Sequence, residues 1–319
     1  MRPAEGTTPA GDGTTSAPAG VPGRRTLLVE TLLVLGVSLG ASAVYALLSL
    51  IRKLTEQVAL NQQTTAMNSA ITPDRPWLDL AYQLAGIGFG VVPALLAIHL
   101  LGREGAWGRN GSTGRGIVAG AAASRGSSVT PTTPATPTTP GGPGATGGPG
   151  PAPARRHGGH AIGADLGRPA YDLGRGVLLA AAIGIPGLGF YLAARALGAN
   201  TSIAAANLTS VWWAVPVLVL AAVQNSVLEE VVMIGYLFTR WGQAGWRPGA
   251  ILGVSALIRG AYHLYQGFGG FLGNLVMGLV FGLVYRRTGR VGPLIVAHTL
   301  LDVVAFVGYA LLRGHLSWL

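Results

Sequence analysis

Downstream of Asp172 the chain carries only three acidic residues, Glu229, Glu230 and Asp302, and each lies inside a long apolar run. His263 and His298 are embedded in the same way. A charged side chain at the centre of a membrane-spanning helix costs about 2.5–3.5 kcal/mol on insertion scales, so such groups are rare and mark substrate or proton chemistry by default. Carboxyl and imidazole groups are also those that take up and return protons near neutral pH when burial shifts them. That chemistry requires the helices to bring the five residues to one place.

Local spacing says how each can point. Glu229 and Glu230 are neighbours in Asn225-Ser-Val-Leu-Glu229-Glu230-Val-Val-Met-Ile-Gly235-Tyr236. On a helix they diverge by about 100°, so one can face a reacting centre while the other is held by a neighbouring helix. The competing reading is an acidic pair bonded to adjacent helices for packing alone. His298 and Asp302 stand four apart and share a face. Asp302 can orient His298, or both can face one ligand. Arg259 and His263 repeat that spacing, and an embedded arginine needs a counter-charge, for which Glu229 or Glu230 is the candidate. Arg259 and Asn225 are therefore counted as supporting residues. Alone, His263 is as compatible with a structural hydrogen bond as with a site. Glu30 and His99 read as interfacial or structural. His157 and His160 read as part of a solvated basic loop rather than a metal site.

The elements that must carry these residues follow from composition. Half of the 319 residues are hydrophobic and only 11% are charged, against about 25% charged in soluble domains. About 20 apolar helical residues cross a bilayer. The fold expected is an all-α polytopic membrane bundle of seven spans, with room for an eighth short or re-entrant segment. The spans run at about 26–51, 78–101, 176–197, 211–238, 249–265, 271–285 and 291–312. Pro186 is expected to kink the third. The fourth is longer than needed and is expected to tilt or break near Gly235. The first begins behind Arg24-Arg25 and is too long for a cleavable signal core. Residues 1–25 form a tail of disordered composition, 26–101 two N-terminal helices, 102–170 a low-complexity cytoplasmic insert, and 171–319 the core that bears the site. The Thr/Pro and Gly/Pro tract from Ser127 to Ala154 cannot bury enough apolar surface to fold.

The net charge of +10 comes almost wholly from arginine, Lys53 being the only lysine. These arginines sit in loops and at span ends, which points to membrane orientation and not to nucleic acid. The insert, the fourth–fifth loop and the sixth–seventh loop are the basic ones. Placing them inside gives a multi-pass cell-membrane protein with a cytoplasmic N-terminus. With no cysteine there is neither disulfide nor thiol chemistry.

Taken in order, Glu229-Glu230, a histidine on a later helix, and His298-x-x-x-Asp302 resemble the motifs of the CPBP (CAAX protease and bacteriocin-processing, or Abi) intramembrane endopeptidases. The resemblance covers roughly residues 170–312. It departs at Ile234, where the family has arginine, and at Arg259, where it has phenylalanine. Arg259 would then restore the missing cation from the histidine-bearing helix. The resemblance implies that Glu229 activates a water for attack on a peptide carbonyl and that Glu230 supports it or pairs with a cation. It also implies that His263, His298 and Asp302 position the water or stabilise the oxyanion. No cofactor is needed for that chemistry. The alternative is a divalent metal such as zinc on His263, His298 and Glu229. The expected partners are the lipid bilayer and a membrane-associated peptide or protein substrate. Two other readings use the same residues: a catalytically silent relative acting as scaffold or immunity factor, and a proton-coupled transporter, which would show inverted repeats.

Overall fold

The computed structural model describes residues 22–107, 158–313 and 315. Nearly all of the expected tail and the Pro/Gly-rich heart of the insert lie outside them. The described chain is helical: α1 (Arg24–Gly36), α2 (Leu39–Thr55), α3 (Pro76–Trp107), α4 (Gly158–Ala161), α5 (Pro169–Ala196), α6 (Ala214–Glu229), a π-helix (Glu230–Tyr236), α7 (Leu237–Gln243), α8 (Pro248–Ala261), α9 (Phe268–Thr288) and α10 (Gly292–Leu312). Two three-residue strands, β1 (Thr64–Ala66) and β2 (Ser202–Ala204), pair in parallel with Thr65 opposite Ile203. The polytopic helical bundle is as expected.

Among the described residues, five helical segments are long and apolar enough to cross a membrane: 76–103, 169–196, 214–243, 268–288 and 292–312. α5 runs unbroken through Pro186. The other two expected spans differ. The first is not one helix; α1 and α2 meet at 52°. The break follows Gly36, and the Ser38 hydroxyl donates to Val34 O at 2.6 Å, in keeping with the kinks that glycine and serine allow. The fifth ends four residues early. α8 has 14 residues, or about 21 Å at 1.5 Å per residue, short of the roughly 30 Å hydrocarbon core. Tyr262 and His263 form a turn, followed by a 3-10 turn at Leu264–Gln266. The early stop lets residues at the end of α8 meet residues at the start of α10.

The fourth span does not break near Gly235: residues 214–243 are one continuous helical segment that changes to π geometry at Glu230–Tyr236. The π-helix carries α6 into α7, and all seven of its residues are buried. It forms the centre of the bundle. α10 packs against α5 and α6, α6 against α3, α9 against α8, and α2 against the 3-10 turn. Two backbone carbonyls of the π-helix also accept from side chains: Met233 O from Ser255 Oγ at 2.8 Å, and Gly235 O from Thr239 Oγ1 at 2.7 Å.

Loops gather at the two ends of the bundle. At one end β1, β2 and the turn before α9 are stitched together, Thr201 N donating to Gln266 O at 3.0 Å. Trp77 and Trp212 pair edge to face at 6.5 Å on this part of the surface. At the other end the basic loops meet. Val291 N donates to Ile162 O at 3.0 Å, and Arg240 donates to Leu100 O at 2.8 Å. The C-terminal end of the insert is thus built into the fold. Ile162 is fully buried against the π-helix, and Gly158 lies close to the α3 backbone.

Candidate functional site

Four elements converge on one buried cluster. Glu229 is the last residue of α6 and Glu230 the first of the π-helix. Arg259 comes from the last turn of α8, and His298 from the second turn of α10. The Arg259 guanidinium lies 2.8 Å from Glu230 Oε1 and 3.2 Å from Glu229 Oε2. It is 1% exposed, so its charge is balanced by these two carboxylates and not by water. Arg259 also faces the Phe281 ring at 5.2 Å. A cation thus lies beside the acidic pair although position 234 holds a fully buried Ile234.

His298 Nδ1 lies 2.9 Å from Glu230 Oε1 and 3.2 Å from Arg259 Nη2. The shorter contact places the hydrogen on Nδ1, donated to Glu230. Nε2 then faces Asp302 Oδ1 at 3.7 Å. Asp302 in turn accepts a hydrogen bond from Asn225. Glu229 and Glu230 occupy different environments. Glu230 is 0% exposed and locked by Arg259 and His298, whereas Glu229 is 9% exposed. Of the pair, Glu229 is the one with access to the space beside the cluster.

His263 stands at the edge. Its Nδ1 donates to Arg259 O at 3.0 Å, because a carbonyl only accepts. In the neutral ring Nε2 therefore carries a lone pair, suited to accept a hydrogen from a water and not to donate one to an oxyanion. The ring is tilted against Tyr262, at 4.7 Å, and stacked with Tyr265, at 6.1 Å. All five expected residues and both supporting ones are thus placed on the cluster or its rim.

Sequence reasoning passed over Tyr262. Its hydroxyl donates to Glu229 Oε2 at 2.7 Å and is buried. A tyrosine in an apolar run reads as core. The available signal was its position three residues after Arg259, on nearly the same helix face.

The metal alternative changes in composition and then fails to fit. Among the described residues the compact ligand set is Glu229, Glu230 and His298, whose donor atoms lie within 4.8 Å of one another. His263 is not in it. The guanidinium of Arg259 sits against both carboxylates of that set, where a divalent cation would have to bind. Two positive charges cannot share that buried place.

Residues 211–304 match the family model for Type II CAAX prenyl endopeptidase Rce1-like proteins. No curated protein and no solved structure matches the chain. The match begins just before α6 and ends just after Asp302, so it holds every member of the cluster and leaves out α1, α2, α3 and α5. The segment that builds the site is therefore similar to the Rce1-like CAAX endopeptidases, the resemblance that the order of the three motifs suggested.

Proposed function

We propose that the protein is a multi-pass intramembrane endopeptidase that hydrolyses a peptide bond with water activated by Glu229. The observation that carries this reading is the unequal burial of two adjacent glutamates around one shared arginine. Glu229 takes a proton from a water held between its free oxygen and His263 Nε2. The resulting hydroxide attacks the peptide carbonyl carbon, and the carbonyl oxygen becomes the oxyanion. Arg259 is the donor to that charge, in a dry site where such donors are most effective, and His298 adds one only when its Nε2 is protonated as well. Collapse of the intermediate breaks the C–N bond, and the proton held by Glu229 passes to the leaving amine. The Tyr262 hydroxyl fixes which oxygen of Glu229 faces the water. Glu230 keeps Arg259 and His298 in place, and Asp302 orients His298. The substrate is a membrane-associated peptide, with prenylated CAAX tails as the class the family suggests. The arginine-rich loops at one end orient that end and the N-terminus to the cytoplasm.

The test is cleavage of a peptide library, with prenylated and unprenylated arms, by the purified full chain in lipid nanodiscs. Wild type should cleave. Glu229→Gln should lose 10²–10⁴-fold, on the order expected for a positioned base. A chelator should leave the rate unchanged. Equal cleavage by Glu229→Gln would remove the mechanism, and loss on chelation restored by zinc would replace it with metal chemistry.

A further inference from the structure

Lys53, the single lysine of the chain, is 4% exposed near the end of α2. Its ammonium donates to the Thr65 hydroxyl and, at 2.8 Å, to Tyr265 O, 212 residues away. Both acceptors are neutral. The neighbouring carboxylate of Glu56 is bound by Arg52 at 2.6 Å. A buried ammonium matched only by neutral oxygens is an expensive way to pack a helix, and its effect is to fix what it touches.

It touches the turn that follows the site. Tyr265 O and Gln266 O are successive carbonyls of the 3-10 turn, and donors from three segments converge on them. Besides Lys53, Thr65 Oγ1 reaches Tyr265 O at 3.2 Å, and Thr201 reaches Gln266 O through N at 3.0 Å and Oγ1 at 3.2 Å. The hydroxyls of Thr65 and Thr201 are 2.7 Å apart. α8 has already ended at Ala261; Tyr262 N and His263 N bond back to Ile258 O and Gly260 O, and beyond them only the 3-10 turn holds on, Gln266 N donating to His263 O at 3.1 Å. Their placement depends on where the Tyr265–Gln266 carbonyls are anchored.

We infer that Lys53 is a positioning residue for the candidate site, fixing the 262–266 turn so that the Tyr262 hydroxyl stays on Glu229 and His263 stays beside it. The N-terminal helix pair, outside the family match, is then part of the working site. The kinetic consequence rests on the proposed proteolysis; the geometric one does not.

The absence of cysteine allows a clean distance measurement. Spin labels at Val223→Cys on α6 and Phe268→Cys at the start of α9, both exposed positions, report the separation of the glutamate-bearing helix from the turn by pulsed electron resonance. In the full chain in nanodiscs, Lys53→Met should broaden or shift that distribution. In the unlabelled background it should lower kcat on the best library peptide about tenfold or more with little change in KM. An unchanged distribution in Lys53→Met overturns the inference whatever the rate. A shifted distribution in a protein whose wild type cleaves nothing sustains the positioning role and sinks the proteolytic reading alone. Should Lys53→Met not fold, Lys53→Met/Thr65→Val removes the ammonium together with the hydroxyl that it bonds, leaving no unpartnered polar group of that pair, and an unchanged distribution there overturns the inference equally.

Discussion

Glu229 and Glu230 are chemically identical and adjacent, yet the cluster divides their work. Glu230 is closed off by Arg259 and His298, whereas Glu229 keeps a small exposed surface. Removing one partner of a buried ion pair costs about 3–5 kcal/mol, because the other charge is left uncompensated. Glu230→Gln should therefore destabilise the fold by about 3 kcal/mol, toward the lower end because Glu229 still faces Arg259. Glu229→Gln keeps the shorter Arg259–Glu230 contact and should destabilise less while losing more activity. Reversible denaturation in mild detergent reads the first quantity, and Glu230→Gln as stable as wild type would show that Arg259 is not held as described. At this scale the sequence was informative where charge forces a partner. The need of Arg259 for an anion predicted its pairing with the glutamates, and the i,i+4 spacing predicted the closeness of His298 and Asp302. It was silent where the partner is neutral: neither the hydroxyl of Tyr262 nor the carbonyl of Tyr265 announces itself.

Among the elements, the π-helix at Glu230–Tyr236 decides how the acidic pair is presented. π-turns within α-helices occur often at functional sites, and here the turn begins on the second glutamate. The sequence, whose apolar run around Gly235 is longer than a bilayer requires, pointed to a tilt or break there and not to a π-helix within a continuous segment. The early end of α8 was not foreseeable, since Ala261-Tyr262-His263-Leu264-Tyr265 remains largely apolar through the turn. The bend between α1 and α2 was hidden for the same reason: apolar composition continues through Val37-Ser38. The π-helix has its own support in Ser255, whose hydroxyl meets the Met233 carbonyl in a site closed to water. A buried acceptor left without a donor costs about 1–3 kcal/mol. Ser255→Ala should lower stability by that amount and reduce cleavage with it, whereas Ser255→Thr, which keeps the hydroxyl, should retain most of both. An alanine variant with wild-type thermal stability would mean that the π-helix needs no such donor.

Across the whole molecule, the arginine-rich end of the bundle is closed by a staple that joins the insert's last residues to the start of α10. Arg290 bonds Asp172 through Nε at 3.0 Å and Nη2 at 2.7 Å, and reaches Asp165 Oδ1 at 3.1 Å. His160 lies 3.3 Å from Asp165, and Gly167 N donates to it at 2.8 Å. Hydrogen bonds from Arg290, then from Gly167, hold the Asp165 carboxyl below the usual aspartate range. A carboxyl whose pKa is depressed by folding stabilises the fold above its unfolded value, about 3.9, and that contribution fades as pH falls through the folded value. Amide protection of residues 158–168 should therefore be level from pH 7 to about 4 and fall below that, while protection in α6 and the π-helix holds longer. Arg290→Gln removes the cause of the shift, so protection of the segment should already be weak at pH 7 and should begin to fall nearer the ordinary aspartate range. Hydrogen exchange read by mass spectrometry separates these regions. A segment equally protected in wild type and Arg290→Gln at pH 7 would show that Ile162, wedged against Gly235 and Val291, holds it without help from the charges.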